Sequence, residues 1–333
     1  MDVVLVGFGT VGQGVAEAIQ RKNPLFRGLY EEELRIVACF DSSTSVCDKN
    51  GLDPLELVKR KSAKGNVGKK RDAPVREMLA DIDYQVLVEM TPTNIMDGQP
   101  GLGNIRTALE SGKDVVTSNK GPLALKYREL AKLAAKQGRQ MRFEASVGGA
   151  TPVINLCSEL LKSEEIISIR GIMNGTCNLI LSRMEDEGLP FETALKEAQQ
   201  MGFAEADPSY DIDGIDSACK VAILANAIMN RDVTVHDVPR IGIRGVSSEA
   251  VSFAQQDKKV IRLIGGITPK GVEVSPRLIP RGHPLSIGGT LNTFHIQTDL
   301  AGEITVAGRG AGRMETASAI MSDLLALMRQ GRN

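Results

Sequence analysis

The feature that most constrains the fold of this chain is a glycine-rich loop close to its start. Residues 2–14 read DVVLVGFGTVGQG, in which a short β-branched run leads into the loop and then into a helical pattern. In such a loop one glycine permits a tight turn, one lets the backbone approach a pyrophosphate, and one allows close helix–strand packing. The helix N-terminus then offers N–H groups to phosphates. This context predicts a dinucleotide-binding loop formed by Gly7, Phe8, Gly9, Thr10, Val11 and Gly12.

Strand and helix patterns alternate through the rest of the first half. Strand-like segments at 35–40, 85–90 and 113–118 are accompanied by helical patterns such as IRTALESG and YRELAKLAAKQG. Such alternation predicts an α/β fold with a Rossmann-type doubly wound parallel sheet, which binds ligands at the carboxyl ends of its strands. The residues predicted to reach a cofactor from these ends are Asp41, Thr91 and Lys120.

Asp41 leaves the choice between NAD and NADP open. An acid after the second strand can bind the ribose 2′-hydroxyl of NAD, usually about 20 residues past the glycines. Here the interval from Gly12 is 29 residues (41 − 12), and we interpret the segment RKNPLFRGLYEEE as an inserted turn. The hydroxyl residues after Asp41 and a basic, glycine-containing run at 59–71, interpreted as a solvated loop, are suited instead to a 2′-phosphate. Asp41 itself favours NAD.

From about residue 141 the pattern changes. Strand candidates lie at 165–172, 259–267, 271–279, 292–299 and 303–307. Helical patterns lie between the first two of these, at 176–187, 190–201, 214–230 and 247–256. Consecutive strands with helices set apart predict an α+β open sheet covered on one face. A second glycine-rich turn then leads into an amphipathic helix that we expect to return to the nucleotide domain. The predicted domains are 1–140, 141–307 and 308–333.

The composition argues against several classes of partner. The 333 residues carry 40 Lys and Arg against 41 Asp and Glu, so no broad positive charge attracts nucleic acid or anionic membranes. No apolar run approaches the roughly 20 residues of a membrane span, and the start of the chain lacks signal-peptide features. The five cysteines are widely spaced without a CxxC pair, as in buried thiols of a reducing compartment. We therefore expect a cytoplasmic protein.

One stretch concentrates charge. Residues 202–220 read GFAEADPSYDIDGIDSACK, with five carboxylates ahead of Lys220. From Gly214 the sequence is apolar on nearly every side, which predicts a buried helix with Asp213 as its N-cap. Asp216 and Lys220 are four residues apart and share a face. Burial and a neighbouring carboxylate shift a lysine's proton affinity in opposite directions, so such a lysine can serve as a general acid or base.

Three interpretations of this stretch are open on these residues alone. The first is a metal site, although the late glutamate of a calcium loop is absent and no histidine lies nearby for zinc. The second is a purely structural acidic turn. The third is a substrate with an ammonium group, which the carboxylates would neutralise while the lysine handles a proton. Beside a dinucleotide domain, the third interpretation predicts hydride transfer on an amino acid.

Together these segments resemble the homoserine dehydrogenase family, in its short form without a kinase or regulatory domain. The segments GFGTVGQG, SNKG, EASVGGATP, MNGTCNLIL, GFAEADPSYDIDGIDSACK, HPLSI and GRGAG occur in the family's order over nearly the whole chain. The resemblance implies NAD(P)-dependent, reversible reduction of L-aspartate-4-semialdehyde to L-homoserine, within threonine and methionine biosynthesis. The implied cofactor is NAD or NADP, and the implied partner is a small-molecule substrate.

The resemblance also implies roles for individual residues. Lys220 matches the family's acid/base lysine, and Lys120 is expected to bind or polarise the reacting oxygen. Which of the two delivers the proton stays open. The residues expected to bind substrate are Glu205, Asp211, Asp216 and Thr176, the glutamate being suited to the ammonium group. Gly310 is expected to contact the cofactor through its backbone.

Two further features follow from the resemblance. A loop for a structural monovalent cation such as Na⁺ would use Glu144 with the carbonyls of Val147, Gly149 and Thr151. The open face of the second sheet would be covered by formation of a homodimer, the commonest oligomer of soluble proteins.

Rival functions make different demands on the same residues. A related amino-acid oxidoreductase, such as an aspartate dehydrogenase, would share the build but turn over aspartate. A non-catalytic dinucleotide sensor would keep the glycine loop without needing Lys120, Lys220 and Glu205 together. A thiohemiacetal mechanism is disfavoured because Cys157 and Cys177 have no histidine nearby in the sequence to activate them.

Overall fold

The computed structural model describes residues 1–330 and divides the chain into two compact units. The first unit comprises Met1–Gly149 together with the segment from Gly312 onward, and the second comprises Ala150–Ala311. The boundaries predicted from the sequence are residues 140 and 307. Among residues 1–330, no helix is long and apolar enough to cross a membrane.

The strands of the described residues form one sheet in each unit. The first sheet contains β1 (Asp2–Val6), β2 (Arg35–Phe40), β3 (Thr44–Leu52), β4 (Lys69–Lys70), β5 (Val86–Glu89), β6 (Asp114–Thr117) and β7 (Met141–Arg142). The second contains β8 (Ile166–Ile172), β9 (Lys259–Thr268), β10 (Gly271–Pro280), β11 (Leu291–Thr298) and β12 (Glu303–Arg309).

The α-helices connect and cover these strands. They are α1 (Thr10–Tyr30), α2 (Pro54–Lys64), α3 (Val75–Met78), α4 (Gly101–Glu110), α5 (Lys120–Lys136), α6 (Val153–Asn155), α7 (Gly175–Glu187), α8 (Phe191–Gln200), α9 (Ser209–Ile212), α10 (Ile215–Ala227), α11 (Ser248–Gln256) and α12 (Arg313–Gln330). Short 3₁₀ turns occupy Leu79–Asp81, Glu144–Ser146, Val235–Asp237 and Pro284–Ser286, and one π-turn occupies Leu156–Leu160.

The two sheets differ in topology. The strand order in the first sheet is β4-β3-β2-β1-β5-β6-β7. The neighbours β2, β1, β5, β6 and β7 pair in parallel. At one edge, β3 pairs antiparallel with β2, and β4 pairs antiparallel with β3. The second has the order β10-β9-β8-β11-β12 and is antiparallel throughout. The predicted combination of a doubly wound sheet and an open α+β sheet is therefore confirmed.

β1 lies at the centre of the first sheet and is apolar throughout because both faces of the sheet are covered. Val3 and Leu5 belong to one core cluster with residues of α1 and α12, whereas Val4 and Val6 belong to another with residues of α4 and α5. All four side chains are at most 1% exposed. A continuous apolar run is what a parallel strand buried on both faces requires.

The terminal helix α12 packs on α1 in the first unit, as predicted. Gly14 permits the close approach, because a Cβ at this position would lie 2.6 Å from the carbonyl oxygen of Arg313. The Arg313 guanidinium lies 2.6 Å from Glu17 Oε1. Ile320 and Leu324 of α12 are fully buried in the same core as Val3. The apolar stripe of the terminal helix thus completes the nucleotide domain.

The interpretation of residues 21–33 as an inserted turn is wrong. α1 continues through most of this segment, with Pro24 inside the helix. A proline in a helix interior costs about 3 kcal/mol, but Phe26 is buried in the core. The Asn23 side chain also exchanges two hydrogen bonds with the backbone of Leu34, at 2.8 and 2.9 Å. These tertiary contacts sustain a helix that local propensity alone would end.

The basic run at residues 59–71 is also not a loop throughout, because α2 extends to Lys64. Asp53 caps α2 by accepting hydrogen bonds from the backbone N–H groups of Leu55 and Glu56, at 2.8 and 3.0 Å. This helix start was not predicted, although an aspartate followed by proline is a strong signal for one. Gly65 then ends the helix in the left-handed conformation, with φ of +70°.

In the second unit, helices cover one face of the sheet. α7, α10 and α11 all contact β9, and α10 also contacts β10. A Cβ at Gly265 would lie 2.8 Å from a methyl group of Val221 on α10, so this residue of β9 faces the helices. Its neighbour Ile264 therefore points to the other face, where it forms a small buried cluster with Ile172 and Leu285.

Candidate active site

The glycines of the first loop have distinct structural requirements. Gly7 has φ of +96°, and a Cβ there would lie 2.5 Å from backbone atoms of Met90. A Cβ at Gly12 would lie 2.4 Å from the carbonyl oxygen of Gly7. By contrast, a Cβ at Gly9 would have no neighbour within 4 Å. Gly7 and Gly12 are thus required by packing, whereas the backbone at Gly9 is open on one side.

The loop borders a cavity of about 880 Å³ within the first unit. α1 begins directly after Gly9, and no side chain caps its first turn. A helix N-terminus that opens into a cavity suits a phosphate group, because N–H groups and the helix dipole favour an anion there. The predicted cofactor residues that line the cavity are Gly7, Phe8, Gly9, Thr10, Val11, Asp41 and Thr91.

Asp41 is buried at the carboxyl end of β2 and is held by several donors. Its Oδ1 accepts hydrogen bonds from the backbone N–H groups of Ser43 and Thr44 at 2.9 and 2.6 Å, and its Oδ2 lies 3.0 Å from Lys61 Nζ. Burial acts to raise the pKa of Asp41, but the bonds from Ser43, Thr44 and Lys61 outweigh it and lower the pKa to about 2. Asp41 is therefore a fixed anion at the cavity wall.

Three cationic side chains line the same cavity, namely Lys61, Arg71 and Arg76. Arg71 donates to the carbonyl oxygens of Asp41 and Ser42 at 3.3 and 2.6 Å, which fixes it beside the turn after β2. These three residues were not predicted individually from the sequence, although the basic run at 59–71 is a partial signal. Together with the hydroxyl of Ser42, these three cationic side chains make this end of the cavity suitable for binding an anion.

Thr91 belongs to a buried hydrogen-bond network centred on Glu89, the last residue of β5. The Glu89 carboxylate accepts from the Thr91 backbone N–H at 2.7 Å, from the Thr91 hydroxyl, from Asn104 Nδ2 at 2.9 Å and from Asn119 Nδ2 at 3.4 Å. Glu89 is fully buried, and burial raises its pKa above the ordinary 4.5. The sequence alone did not predict Glu89, Asn104 and Asn119 as residues of the site.

Lys120 is the first residue of α5, just beyond the carboxyl end of β6. Asn119 caps the helix, accepting a hydrogen bond from the Gly121 backbone N–H at 3.0 Å. Because Asn119 also donates to the Thr91 hydroxyl at 3.1 Å, the start of α5 is tied to the end of β5. The backbone that carries Lys120 is therefore held at the same edge of the sheet as the cavity.

In the second unit, Lys220 is buried in α10 and pairs with Asp216 one turn earlier. Its Nζ lies 2.9 Å from Asp216 Oδ2 and donates to the carbonyl oxygen of Met173 at 2.6 Å. The two charged side chains are only 8% and 6% exposed. An ammonium group has three N–H donors, so these two contacts leave one for a further acceptor.

Asp211 and Asp216 converge on one amide group. Asn174 Nδ2 lies 2.7 Å from Asp211 Oδ1 and 3.0 Å from Asp216 Oδ2. Burial raises the pKa of Asp211 above its ordinary 3.8, and the negative charge of Asp216 adds to this shift. The cluster contains two acids and one buried cation, an arrangement that can hold a cationic group and also transfer a proton.

The remaining predicted substrate residues lie on neighbouring segments. Thr176, in the first turn of α7, donates to the carbonyl oxygen of Phe203 at 3.0 Å. Glu205 follows on an exposed segment, where its carbonyl oxygen accepts from Gln199 at 3.0 Å. The contacts of the described residues thus join Lys220 directly to Asp216 and, through Asn174, to Asp211, whereas Glu205 stands outside that network.

Asp213 is not the N-cap of α10, contrary to the sequence prediction. Gly214 occupies that position with φ of +79°, because Asp213 is instead the C-terminal cap of the short helix α9. The Asp213 carboxylate instead pairs with Arg244, at 2.5 Å from its Nε. Asp213 therefore ties the acidic turn to a neighbouring loop.

Gly310 passes close to Asn292. A Cβ at Gly310 would lie 1.9 Å from Asn292 Nδ2, so a larger residue there would require the buried Asn292 side chain to move. The same amide donates to the carbonyl oxygen of Met173 at 3.3 Å. Gly310 is thus connected through Asn292 to the carbonyl that also binds Lys220.

The Cys177 thiol beside this cluster is not activated as a nucleophile. All five are free thiols, and both Cys157 and Cys177 are buried. Burial raises the pKa of Cys177 well above 9.0, and its thiol donates to the carbonyl oxygen of Asp211 at 3.2 Å. Since a thiol that stays protonated is a poor nucleophile, Cys177 is not suited to a thiohemiacetal mechanism.

The residues predicted for a monovalent cation fall in both units. Glu144, Val147 and Gly149 are buried residues of the first unit, whereas Thr151 is a buried residue of the second. The Glu144 backbone N–H donates to Asp323 Oδ2 at 2.9 Å. Within residues 1–330, no group of three or more His, Cys, Asp or Glu side chains is arranged to hold a metal ion.

Two family models match the chain. The model described as homoserine dehydrogenase, NAD binding domain, matches residues 7–144, and the model described as homoserine dehydrogenase matches residues 152–325. The first match covers the glycine loop and its cavity, and the second covers the acidic cluster. Neither match favours the rival aspartate dehydrogenase.

Individual relatives agree with the family models. The homoserine dehydrogenase of Methanocaldococcus jannaschii is 47% identical over 98% of both chains. The NAD(+)-dependent homoserine dehydrogenase of Pseudomonas canavaninivorans is 39% identical over 97% of this chain and 95% of its own. A structure of a hyperthermophilic archaeal homoserine dehydrogenase mutant in complex with NADPH has a TM-score of 0.85 and 29% identity, covering 97% and 96% of the two chains.

Proposed function

The chain belongs to the homoserine dehydrogenase family of NAD(P)-dependent oxidoreductases, and on that premise we propose that Lys220 is the acid/base residue of the reaction. The observation that carries this proposal is the buried ion pair of Lys220 with Asp216, at 2.9 Å. A lysine in a buried acidic cluster is chemically suited to proton transfer. The bound dinucleotide supplies the hydride in reduction and accepts it in oxidation.

Lys220 would donate a proton when the aldehyde is reduced and accept one when homoserine is oxidised. When the aldehyde carbon of L-aspartate-4-semialdehyde gains hydride, its C=O π bond breaks and the oxygen takes a proton from the Lys220 ammonium group. The neutral amine then regains a proton from solvent. In homoserine oxidation the amine accepts the hydroxyl proton as the C–H bond gives up hydride. The N–H group not engaged by Asp216 or Met173 is the one available to the substrate oxygen.

We propose that the acids bind the amino end of the substrate. Asp211 and Asp216 are the carboxylates joined through Asn174, and Glu205 follows Phe203, the acceptor of the Thr176 hydroxyl. Carboxylates offset the cost of removing an ammonium group from water. Thr176 would add a hydroxyl contact, and Lys120 would bind or polarise the reacting oxygen. Gly310 would contribute a backbone contact to the cofactor.

Replacement of each lysine by alanine tests the acid/base assignment. Lys220→Ala should lower kcat for homoserine oxidation roughly 10²–10⁴-fold, the usual contribution of one general acid or base. Small primary amines added to the assay should restore part of that activity, because they replace the missing group. Lys196→Ala, at an exposed lysine of α8, is the matched control. If only Lys120→Ala shows amine rescue, the proton role passes to Lys120.

Cofactor and substrate panels define the reaction. Initial rates of homoserine oxidation with NAD and with NADP, measured side by side, give the cofactor preference. Aspartate in place of homoserine tests the amino-acid dehydrogenase alternative. Tight cofactor binding without turnover of homoserine would instead favour a sensor.

We also propose that the protein is a homodimer that covers the open face of the second sheet. On that face Ile172, Ile264 and Leu285 form only a small cluster, while Arg170 and Arg277 are exposed. A C2 dimer would bury the remainder of the face in a self-complementary interface. Sedimentation equilibrium should give twice the chain mass, and Arg170→Glu, which places new negative charge on that face, should shift the equilibrium toward the single chain.

The proposed cation loop uses Glu144 and the carbonyls of Val147, Gly149 and Thr151 for a structural Na⁺. Buried carboxylate and carbonyl oxygens are suitable ligands for a hard cation. Thermal unfolding in NaCl should occur at a higher temperature than in choline chloride of equal ionic strength. Glu144→Gln should remove the difference, and an unchanged difference would overturn the assignment.

A cytoplasmic location completes the proposal. It is supported by five free cysteines, four of which are buried and none of which forms a disulfide. Subcellular fractionation of the native host should recover the protein with the soluble fraction of the cell interior.

A further inference from the structure

The Asn174 side chain makes two kinds of contact at the junction between β8 and α7. Its Oδ1 accepts a hydrogen bond from the Cys177 backbone N–H at 2.8 Å, which caps α7. Its Nδ2 donates to Asp211 and Asp216 at 2.7 and 3.0 Å. The residue is 6% exposed. The cap fixes the direction of the amide plane, so the NH₂ group is aimed at both carboxylates.

The Asn174 amide bridges the Asp211 and Asp216 carboxylates and thereby reduces the repulsion between them. The Asp216 carboxylate is buried and the Asp211 carboxylate is half-buried. Two such carboxylates that approach one point repel each other, and each prefers to be separated or protonated. An amide NH₂ group has two N–H donors, so it can bond one carboxylate with each. Neither a hydroxyl, with one donor, nor a third carboxylate, with none, can do the same.

The same bridge reaches Lys220 through Asp216. Asp216 Oδ2 accepts from Asn174 Nδ2 at 3.0 Å and lies 2.9 Å from Lys220 Nζ. Lys220 also donates to the carbonyl oxygen of Met173, the residue directly before Asn174. The backbone at 173 and the side chain at 174 therefore set the positions of the ammonium group and its carboxylate together.

We propose that Asn174 is a positioning residue for the reaction, whose amide holds the Asp211 and Asp216 carboxylates at a fixed separation and thereby directs the Lys220 ammonium group. The inference rests on the proposed roles of these three residues. Asn174 acts through them and is assigned no contact with substrate.

Two substitutions separate positioning from helix capping. Serine and aspartate are as good as asparagine at an N-cap, so Asn174→Ser and Asn174→Asp should both preserve α7. Asn174→Asp keeps the size and shape of the side chain but replaces the double donor by an acceptor. Asn174→Ser retains a single donor. Asn174→Ser should therefore fold with a thermal unfolding temperature close to that of the wild type, whereas Asn174→Asp keeps the cap but adds a third carboxylate and should unfold at a lower temperature.

Steady-state kinetics should distinguish the two variants. We expect kcat/KM for homoserine to fall roughly 100-fold in Asn174→Asp and roughly 10-fold in Asn174→Ser, as two or one hydrogen bonds to charged groups are lost. The KM for NAD or NADP should stay within about twofold in both, since the cofactor cavity lies in the first unit. Ser247→Ala, which removes the N-cap of α11, is the control for capping alone.

Parallel measurement of Asp216→Asn distinguishes the inference from the assignment on which it rests. If Asp216→Asn is impaired but Asn174→Asp retains wild-type kcat/KM for homoserine, the positioning role is wrong and the proposed site stands. If neither is impaired, the proposed site is wrong as well. If thermal stability, cofactor affinity and homoserine kcat/KM all decrease to the same extent, Asn174 acts only as a helix cap, and the inference is overturned.

Discussion

Asp216 and Lys220 form a buried ion pair one turn apart on α10, with Oδ2 and Nζ separated by 2.9 Å. On an exposed helix a pair at this spacing contributes only about 0.2–0.5 kcal/mol. A buried pair must offset the loss of hydration of both charges, which requires further hydrogen bonds. Asn174 and the carbonyl oxygen of Met173 supply them here. The pair is thus held by more hydrogen bonds than the stability of α10 alone would require.

Asp216→Asn should destabilise the fold and impair the reaction together. The substitution keeps the shape of the side chain but leaves the Lys220 ammonium group buried without its counter-charge. Removal of one partner of a buried pair costs about 3–5 kcal/mol, so the free energy of unfolding in urea should fall by about that amount. The double variant Asp216→Asn/Lys220→Met should recover most of the stability but none of the activity. A single variant as stable as the wild type would contradict a buried pair.

Asp211 should set the acidic limb of the pH–rate profile. Burial and the charge of Asp216 raise its pKa above 3.8, so Asp211 becomes protonated at a higher pH than an ordinary aspartate. If the ionised form binds the substrate ammonium, kcat/KM for homoserine should decrease as the pH falls through this raised pKa. Asp211→Asn should abolish the limb. Asp216→Asn removes the repelling charge and should move the limb to lower pH, whereas an unmoved limb would assign it to another group.

The fold was predictable where local sequence decides the outcome. The apolar runs that became β1, β2, β5 and β6 are buried on both faces of a parallel sheet, so their composition alone identifies them. Residues 21–33 could not be predicted, because the helix there depends on Phe26 and on contacts of Asn23 with a residue eleven positions later. A proline at the centre of the segment gave the opposite local signal.

The same distinction applies to the candidate site. Spacing of four residues was enough to place Asp216 and Lys220 on one face, because helical geometry relates them locally. Asn174 reaches Asp216 across 42 residues, Asn119 reaches Glu89 across 30, and Lys61 reaches Asp41 across 20. Each of these contacts depends on how separate strands and helices come together. An unaligned sequence contains no signal for them.

Lys61 should control the preference between the two dinucleotides. Its ammonium group lines the cavity and lies 3.0 Å from Asp41, at the end where a ribose 2′-substituent is expected. A 2′-phosphate would gain a charge-assisted hydrogen bond from this group, worth about 1.5–3 kcal/mol. Lys61→Met should therefore weaken NADP binding roughly 10–100-fold and leave NAD binding within a few-fold, as measured by fluorescence titration of the reduced cofactors.

The loss of Lys61 also leaves Asp41 without its cation, so the comparison needs a charge-matched partner. Lys61→Met/Asp41→Asn removes both charges and should show the same loss of NADP affinity without extra instability. Lys59→Met removes an exposed lysine of the same helix and should change neither affinity. Equal weakening of NAD and NADP by Lys61→Met would show that the residue shapes the cavity rather than selecting the phosphate.

Glu89→Gln should weaken the hydrogen-bond network at the end of β5 that borders the cavity and should thereby weaken cofactor binding. The buried carboxylate accepts from Thr91, Asn104 and Asn119, all of which are donors. A glutamine would turn an NH₂ group toward at least one of them, leaving a buried donor unpaired at a cost of about 1–3 kcal/mol. Because Thr91 and Asn104 line the cavity, the dissociation constant for the cofactor should rise about tenfold. Glu110→Gln, at an exposed residue of α4, is the matched control.

The pH dependence of stability gives Glu89 an independent signature. Burial raises its pKa above the 4.5 of the unfolded chain, so over the interval between the two values the native state binds more protons than the unfolded state. The contribution of Glu89 to the free energy of unfolding must then decrease as pH rises through that interval. Glu89→Gln cannot ionise and should lack this decrease, so the stability difference between wild type and variant should be larger at pH 4 than at pH 8. A difference independent of pH would mean that the carboxyl group keeps one protonation state throughout, and the effect of the substitution would then come from hydrogen bonding alone.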